Sequence, residues 1–293
     1  IYVPIILGLI ARFSGYFPVE YGPAIRQFCL KISIPLMIFT SMASMDASSL
    51  SQVLPLMLSL PVYMGILWLI ALLVSKLPML KNRRIEAILV IILGNIGYFG
   101  WAVTKMGLGE AGLTRSIMFA VLFWPVTILY SFLSKAVVDR SEGGIRSALH
   151  ILKIAIPILA AFILGLVIAI IGWQVPESIF EPLSAFGRMT VPLILFGVGL
   201  SVSFKAHWGE LALLLPLRLA LGFGAAWLTT RMIGNLDDIS RTAIMMVSVM
   251  PVGANSLIMG DILGLDEEFI AGAVTLSALL ALVTIPLTLI LLV

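Results

Sequence analysis

Charge is scarce in this sequence: only 11% of its 293 residues are Asp, Glu, Lys or Arg, against about 25% in a soluble globular chain. So few charges cannot cover a water-soluble domain of this length, and they form no basic stripe that would suit nucleic acid. Cysteine is reduced to Cys29 alone, which excludes an intramolecular disulfide and a thiolate zinc cluster. The only two histidines, His150 and His207, fall near the edges of apolar runs, so no metal site is expected. Within those runs there is no His-rich cluster, no pair of catalytic carboxylates and no nucleophile beside a base. There is no ATP-binding motif either. The expectation is a protein that is not an enzyme and carries no cofactor.

What fills the space is apolar. Hydrophobic residues make up 61% of the chain and mean hydropathy is +1.14, which marks a polytopic membrane protein. Apolar runs read against loop punctuation give ten spans, at roughly 1–16, 24–44, 52–75, 84–105, 114–135, 149–172, 183–204, 209–232, 240–262 and 268–293. Most have about the length needed to cross a bilayer of about 30 Å as a helix.

The two halves repeat. Ser33-Ile34-Pro35-Leu36-Met37-Ile38-Phe39 matches Thr190-Val191-Pro192-Leu193-Ile194-Leu195-Phe196 at an offset of 157. Without a gap, the same offset pairs Leu7-Gly8-Leu9 with Leu164-Gly165-Leu166, Gly15 with Gly172, Gly65 with Gly222 and Arg84 with Arg241. It also pairs Gly107 and Glu110 with Gly264 and Glu267. Chance apolar similarity would not hold glycines, prolines and charges in one register. Five spans per copy force the second copy to enter the membrane from the opposite side. The expected fold is therefore an all-α membrane protein of ten transmembrane helices in two inverted five-helix repeats, 1–136 and 149–293, joined by a linker at 137–148. The register also makes the first span look shortened at its start, and no cleavable signal peptide is read.

Lys and Arg in short loops orient the chain. Lys76, Lys81, Arg83, Arg84, Lys135, Arg140, Arg146, Lys153 and Lys205 fall on one side, against Lys105, Arg115, Arg188, Arg231 and Arg241 on the other. The richer side is placed in the cytoplasm. Both termini, and not the linker, then face outward from a plasma (inner) membrane.

Two interruptions stand out. Leu93-Gly94-Asn95-Ile96-Gly97-Tyr98-Phe99-Gly100 breaks span 4 with glycines, and Met250-Pro251-Val252-Gly253-Ala254-Asn255-Ser256 breaks span 9 with a proline and a glycine. The offset aligns Gly94 with Pro251. Broken helix at membrane depth is tolerated only where it is buried in protein or lines a cavity. The two breaks are thus expected to cross near the midplane. Each would aim the N-terminus of its second half at a common point, with free N–H donors and a partial positive charge that suit a carboxylate. Asn95, Asn255 and Ser256 add neutral donors and acceptors. The plainer alternative is two kinks whose asparagines satisfy backbone.

With its Ser-Ile-Pro-Leu segment and Thr-Val-Pro-Leu copy, and with breaks at Gly94-Asn95-Ile96-Gly97 and at Met250-Pro251 through Ala254-Asn255, the chain resembles the auxin efflux carrier family. That family includes plant PIN-type carriers and bacterial permeases of the malonate-transporter type. The resemblance spans essentially the whole chain. It implies a ten-helix carrier with crossed fourth and ninth helices, moving organic anions by an elevator-like motion of a transport bundle against a scaffold. By position it places the substrate site on Gly94, Asn95, Pro251, Val252, Gly253, Ala254 and Asn255, to which the two broken stretches themselves add Ile96, Gly97, Tyr98 and Ser256 as candidates. Plant carriers have an Asn-Pro pair at both crossings. Here span 4 has no proline, and Asn255 follows Pro251 by four residues, so auxin is not carried over as the substrate.

Charges inside spans are candidates by default. Arg218, beside Pro216 in span 8, is either a functional charge or a structural one bonded to carbonyls that the proline frees. Asp261, near the end of span 9, is either a coupling group or a solvated helix end, and Arg12 can snorkel. Ser41, Ser44 and Asp46 either line a path or cap the next helix, and Glu86 balances Arg83 and Arg84. Gly107-Leu108-Gly109-Glu110-Ala111-Gly112 fits a dinucleotide pattern but follows no strand, so it reads as a connecting turn. Asp266-Glu267-Glu268 reads as an acidic first turn of span 10.

The function expected is secondary transport of a small organic anion, a carboxylate or dicarboxylate, coupled to H+ or Na+. Two alternatives stay open: a sodium-coupled carrier like the bile-acid symporters, or a membrane sensor that only binds its ligand. Membrane lipids are expected partners, nucleic acid is not, and a homodimer is compatible with the chain.

Overall fold

The computed structural model describes residues 2–18, 21–45, 47–139, 145–200 and 208–292. Asp46, Arg140, Lys205, His207 and the linker residues Ser141 to Gly144 lie outside the described residues, as do the side chains of Tyr98 and His150. In a chain this apolar each backbone amide must find its partner within its own segment, and the helix does this at every residue. The described residues accordingly form fourteen α-helices: α1 (Tyr2–Phe13), α2 (Tyr21–Phe28), α3 (Ile34–Ala43), α4 (Val53–Val74), α5 (Arg84–Ile92), α6 (Trp101–Ala120), α7 (Phe123–Asp139), α8 (Ile145–Ile171), α9 (Glu177–Arg188), α10 (Thr190–Leu200), α11 (Trp208–Met232), α12 (Asp238–Ser248), α13 (Asn255–Leu263) and α14 (Glu267–Leu292). Two wider turns, Cys29–Ser33 and Ile96–Gly100, lead into α3 and α6.

Among the described residues, three helices are each long and apolar enough to cross a membrane: Leu50–Val74, Trp208–Met232 and Glu267–Leu292. A fourth such element is the pair α6 and α7, bent by 42°. The bend departs from the unbroken span expected at 114–135. Helix resumes at Glu110, after Gly109 turns left-handed at φ 67°. It then breaks at Val121 and Leu122, because Pro125 has no N–H to give to the Val121 carbonyl and its ring crowds that carbonyl. Pattern reading could not see this, since Val121 and Leu122 are as apolar as their neighbours.

The helices pack in two sets. One joins α1 to α10, α3 to α8 and α9, and α10 to α2; the other gathers α4–α7 and α11–α14 around α4, α6 and α11. Several contacts in the first set recur at the offset of 157. A Cβ on Gly8 would lie 2.2 Å from the Phe196 carbonyl, and one on Gly165 would lie 2.6 Å from the Phe39 carbonyl. Ser33 Oγ and Thr190 Oγ1, themselves one offset apart, share a hydrogen bond of 2.6 Å. Just beyond α1 and α8 stand Gly15 and Gly172 at φ 67° and 66°, the left-handed stop that glycine alone adopts freely. Ile6, Leu7, Ile10 and Phe13 are exposed on α1, as are Ile163, Leu164, Val167 and Ile170 on α8. This apolar skin suits lipid and not water.

Polar ties close both ends of α4, whose 22 residues span about 33 Å at 1.5 Å each. Past its C-terminus Arg83 bonds Glu210 at 3.0 Å and Asp266 at 3.1 Å, and stacks 5.3 Å from the Phe269 ring centre. Glu86, expected to balance the neighbouring arginines, instead accepts the Asp266 amide at 3.2 Å. At the other end Gln52 accepts the Asp237 amide and donates to the Asn235 carbonyl. Asp237 caps α12 by accepting the Ser240 amide at 2.7 Å, and accepts the buried Arg115 at 2.8 Å. Burial pushes the Asp237 carboxyl up, but the hydrogen bonds from Arg115 and Ser240 together with the Arg115 charge outweigh it and hold it below the usual carboxylate range.

Two outcomes follow. Gly8→Ala and Gly165→Ala should each cost about 1–3 kcal/mol through overpacking, whereas Gly224→Ala, with nothing near its Cβ position, should not lower the melting temperature in detergent. Asp237→Asn should melt below wild type at pH 7. Because the folded carboxyl titrates below its unfolded value, its contribution is present above the unfolded pKa and is lost as pH falls through the folded one. The difference between the two melting curves should therefore begin to narrow below about pH 4 and close only once the pH is below the lowered pKa of the folded carboxyl.

Candidate functional site

α5 ends at Ile92 and the chain turns extended at Leu93, with φ −93° and ψ 81°. α12 ends at Ser248, where Pro251 has no N–H to continue the helix. The two loose strands run antiparallel through Gly94 and Val252. The Asn95 amide donates to the Pro251 carbonyl at 2.7 Å and the Gly253 amide to the Leu93 carbonyl at 2.8 Å. The interrupted helices thus satisfy each other's backbone. Two glycines make the approach feasible: a Cβ on Gly94 would be 2.5 Å from Arg218 Nη2, and one on Gly253 would be 2.9 Å from the Gly94 carbonyl.

Side chains complete the crossing. Asn95 Oδ1 accepts the Phe99 amide at 3.3 Å, and the Asn95 carbonyl accepts the Gly100 amide at 3.0 Å, so Asn95 caps the second half of its span as an N-cap residue does. Ser256 Oγ donates to the Gly253 carbonyl at 2.6 Å, and Ser277 Oγ on α14 accepts the Val252 amide at 2.9 Å. Arg218, 2% exposed, donates through Nη1 to the Met250 carbonyl. It makes no ion pair among the described residues, and its Nε has no partner. A cation thus sits at the carbonyl end of α12, where the helix dipole is negative. The Leu93 and Pro251 carbonyls are tied across the crossing, and at the start of α13 the Ser256 and Leu257 amides donate to the Gly253 and Ala254 carbonyls. What the second halves bring to the crossing is therefore the positive end of each helix dipole. The crossing is accordingly an anion-favouring point.

Beside it lies a cavity of about 50 Å³, lined by Asn95, Gly97, Trp101 and Asn255 from the crossing, and by Ile34, Ile38, Ile117, Phe123 and Ile158 among its walls. Trp101 Nε1 and Asn255 Nδ2 are buried with no hydrogen-bond partner. A larger cavity of about 780 Å³ opens nearby between α3, α6 and α9, with Thr40, Ser41, Lys105, Glu110, Thr114 and Arg188 among its lining.

Of the residues singled out by sequence, Asn95, Gly97 and Asn255 reach the small cavity, whereas Gly94, Pro251, Val252 and Gly253 build the crossing itself. Ile96 is packed into the hydrophobic core, and Ala254 is half-buried at the start of α13. Arg218 lies behind Gly94. Asp261 is exposed on the last turn of α13 and does not line the small cavity. Ser41 bonds Thr114 at 3.2 Å and, with Ser44, lines the larger cavity. Sequence reading missed Trp101, which stands one turn after Gly97, a spacing that shares a helix face. It also missed Ser277, for which no local signal exists.

The chain is similar over its length to known proteins. An uncharacterized transporter of Methanocaldococcus jannaschii is 26% identical, the match covering 97% of this chain and 94% of that one. An uncharacterized transporter of Methanothermobacter thermautotrophicus is 23% identical with the same coverage of 97% and 94%. A Rhizobium meliloti protein named as a candidate malonate transporter is 22% identical over 66% of this chain and 62% of its own. The model of the family described as membrane transport protein matches residues 1–289. With helix breaks that resemble the auxin efflux carriers and a family match that runs almost end to end, the chain belongs to this family of integral, multi-pass membrane transport proteins.

Proposed function

We propose that the protein is a secondary carrier of a small organic anion, a carboxylate, which binds where the second halves of the two broken helices meet. The observation that carries this reading is the crossing itself: two helix N-termini converge beside a cavity that also holds unpartnered Trp101 Nε1 and Asn255 Nδ2. Donors without acceptors in a buried place favour an anion. The candidate malonate transporter among the relatives is in keeping with a carboxylate.

The architecture proposed is ten spans in two inverted repeats, each of α5 with the first part of α6, α6 with α7, and α12 with α13 forming one interrupted span. The contacts repeated at 157 residues support it. The set of α1–α3 and α8–α10 is the scaffold, and the set around α4 and α11 moves with the site against it. With both termini outside, the 780 Å³ cavity opens outward, and the Arg83 ties to Glu210 and Asp266 close the cytoplasmic end. The driving force is an ion gradient of H+ or Na+.

Uptake of labelled short carboxylates into proteoliposomes tests the reading. Asn255→Ala should abolish uptake with little change in melting temperature. Asn95→Ala should abolish it and cost about 1 kcal/mol for the lost cap. Asn95→Asp retains the capping oxygen but puts a negative charge where the anion binds, so the protein should fold normally and not transport. Unchanged uptake in all three variants would overturn the proposal.

A further inference from the structure

We infer that the site takes a short carboxylate with a single charged head, and that the Trp101 indole N–H is one of the donors that hold it. The inference rests on the carrier reading and narrows its substrate. Trp101 opens α6 directly after the wide turn at Ile96–Gly100. Gly97 has no side chain, so the indole lies over its Cα, with Cη2, Cζ2 and Cζ3 3.7, 3.8 and 3.9 Å from where a Cβ would stand. An indole N–H can only donate. Here it is in a residue 5% exposed, and it donates to nothing. Asn255 is 9% exposed and lies with Oδ1 over the Gly253 Cα, leaving Nδ2 without a partner. Asn95 already uses its Oδ1 to accept the Phe99 amide. What the cavity lacks is an acceptor, and a carboxylate brings two oxygens.

Size and wall chemistry then limit the rest of the molecule. A water-sized probe needs about 10–15 Å³, so a cavity of about 50 Å³ has room for roughly four heavy atoms, a carboxylate and one or two carbons. Away from the donors the walls are Ile34, Ile38, Ile117, Val121, Phe123 and Ile158. A second carboxylate there would lose its water and find no donor in return, whereas a methyl or ethyl group is matched to aliphatic surface. Ile34 and Ile38 belong to α3 and Ile158 to α8, in the opposite helix set from the donors. The charged head is thus held by one set, and the apolar end lies between both.

Thermal-shift titrations of the purified protein with acetate, propionate, butyrate, malonate, succinate and propionamide decide the substrate class without any substitution. Acetate and propionate should raise the melting temperature in proportion to the logarithm of concentration. Malonate, succinate and propionamide should not. Trp101→Phe keeps an aromatic ring but removes the N–H together with the pyrrole part of the indole. Without ligand it should fold and melt somewhat below wild type, because the smaller ring leaves a cavity at a buried position. It should need about tenfold more propionate for the same shift, as loss of one charge-assisted hydrogen bond implies. Stabilisation by malonate equal to that by propionate, or an unchanged propionate affinity in Trp101→Phe, would overturn the inference and leave the carrier reading intact. If no carboxylate binds and none enters proteoliposomes, the carrier reading falls with it.

Discussion

The pair of backbone hydrogen bonds between the two interrupted helices, Asn95 N–H to the Pro251 carbonyl and Gly253 N–H to the Leu93 carbonyl, is the constraint on which the rest of the site depends. In an apolar interior an unmade peptide group costs several kcal/mol, so neither helix could break alone at this depth. Each break supplies what the other lacks. That mutual dependence explains why the two non-helical stretches meet, and why Gly94 and Gly253 sit at the point of closest approach. The crossing ties the carbonyls that follow the two incoming halves and leaves the positive dipole ends of the outgoing halves beside the cavity.

Sequence alone exposed much of this and missed the rest for definite reasons. The glycines, proline and asparagines at 94–100 and 250–256 were visible because lipid-facing helix has no use for them. The ungapped offset linked the two stretches, and the Ser33–Thr190 bond between positions 157 apart gives that register a physical contact. The acidic start of α14 and the turn at Gly109 were also legible, because both are local chemistry. What stayed hidden was non-local. Trp101 reads as one more aromatic until the bareness of Gly97 places its indole. Ser277 is one hydroxyl in a 26-residue apolar helix until it is seen accepting the Val252 amide. The break at Val121 and Leu122 was hidden because hydropathy is blind to Pro125.

The repeat is better kept among α1, α3, α8 and α10 than at the crossing. Gly8 against Phe196 and Gly165 against Phe39 are the same contact made twice, as are the glycine stops at 15 and 172. At the crossing the symmetry fails. The glycine-made break carries its asparagine at position 95, where it caps its own helix. The proline-made break carries Asn255 four residues later, where its amide is left free.

Arg218 follows from that asymmetry. Its repeat-mate position is Pro61, which offers no charge, so only one of the two crossing strands has a guanidinium behind it. An arginine at the middle of a span costs at least about 2.5–3.5 kcal/mol, and here one bond to the Met250 carbonyl is recovered while Nε stays unmade. A neutral donor could cap that carbonyl as well, so capping alone does not account for a charge. A fixed cation behind Gly94, with no ion-pair partner among the described residues, raises the potential on the far side of a residue that has no side chain to screen it. Gly94 and Arg218 are both buried, where a field is less screened than in water. The crossing therefore carries a positive charge with no ion-pair partner among the described residues, whose natural counterpart is the anion of the proposed carrier.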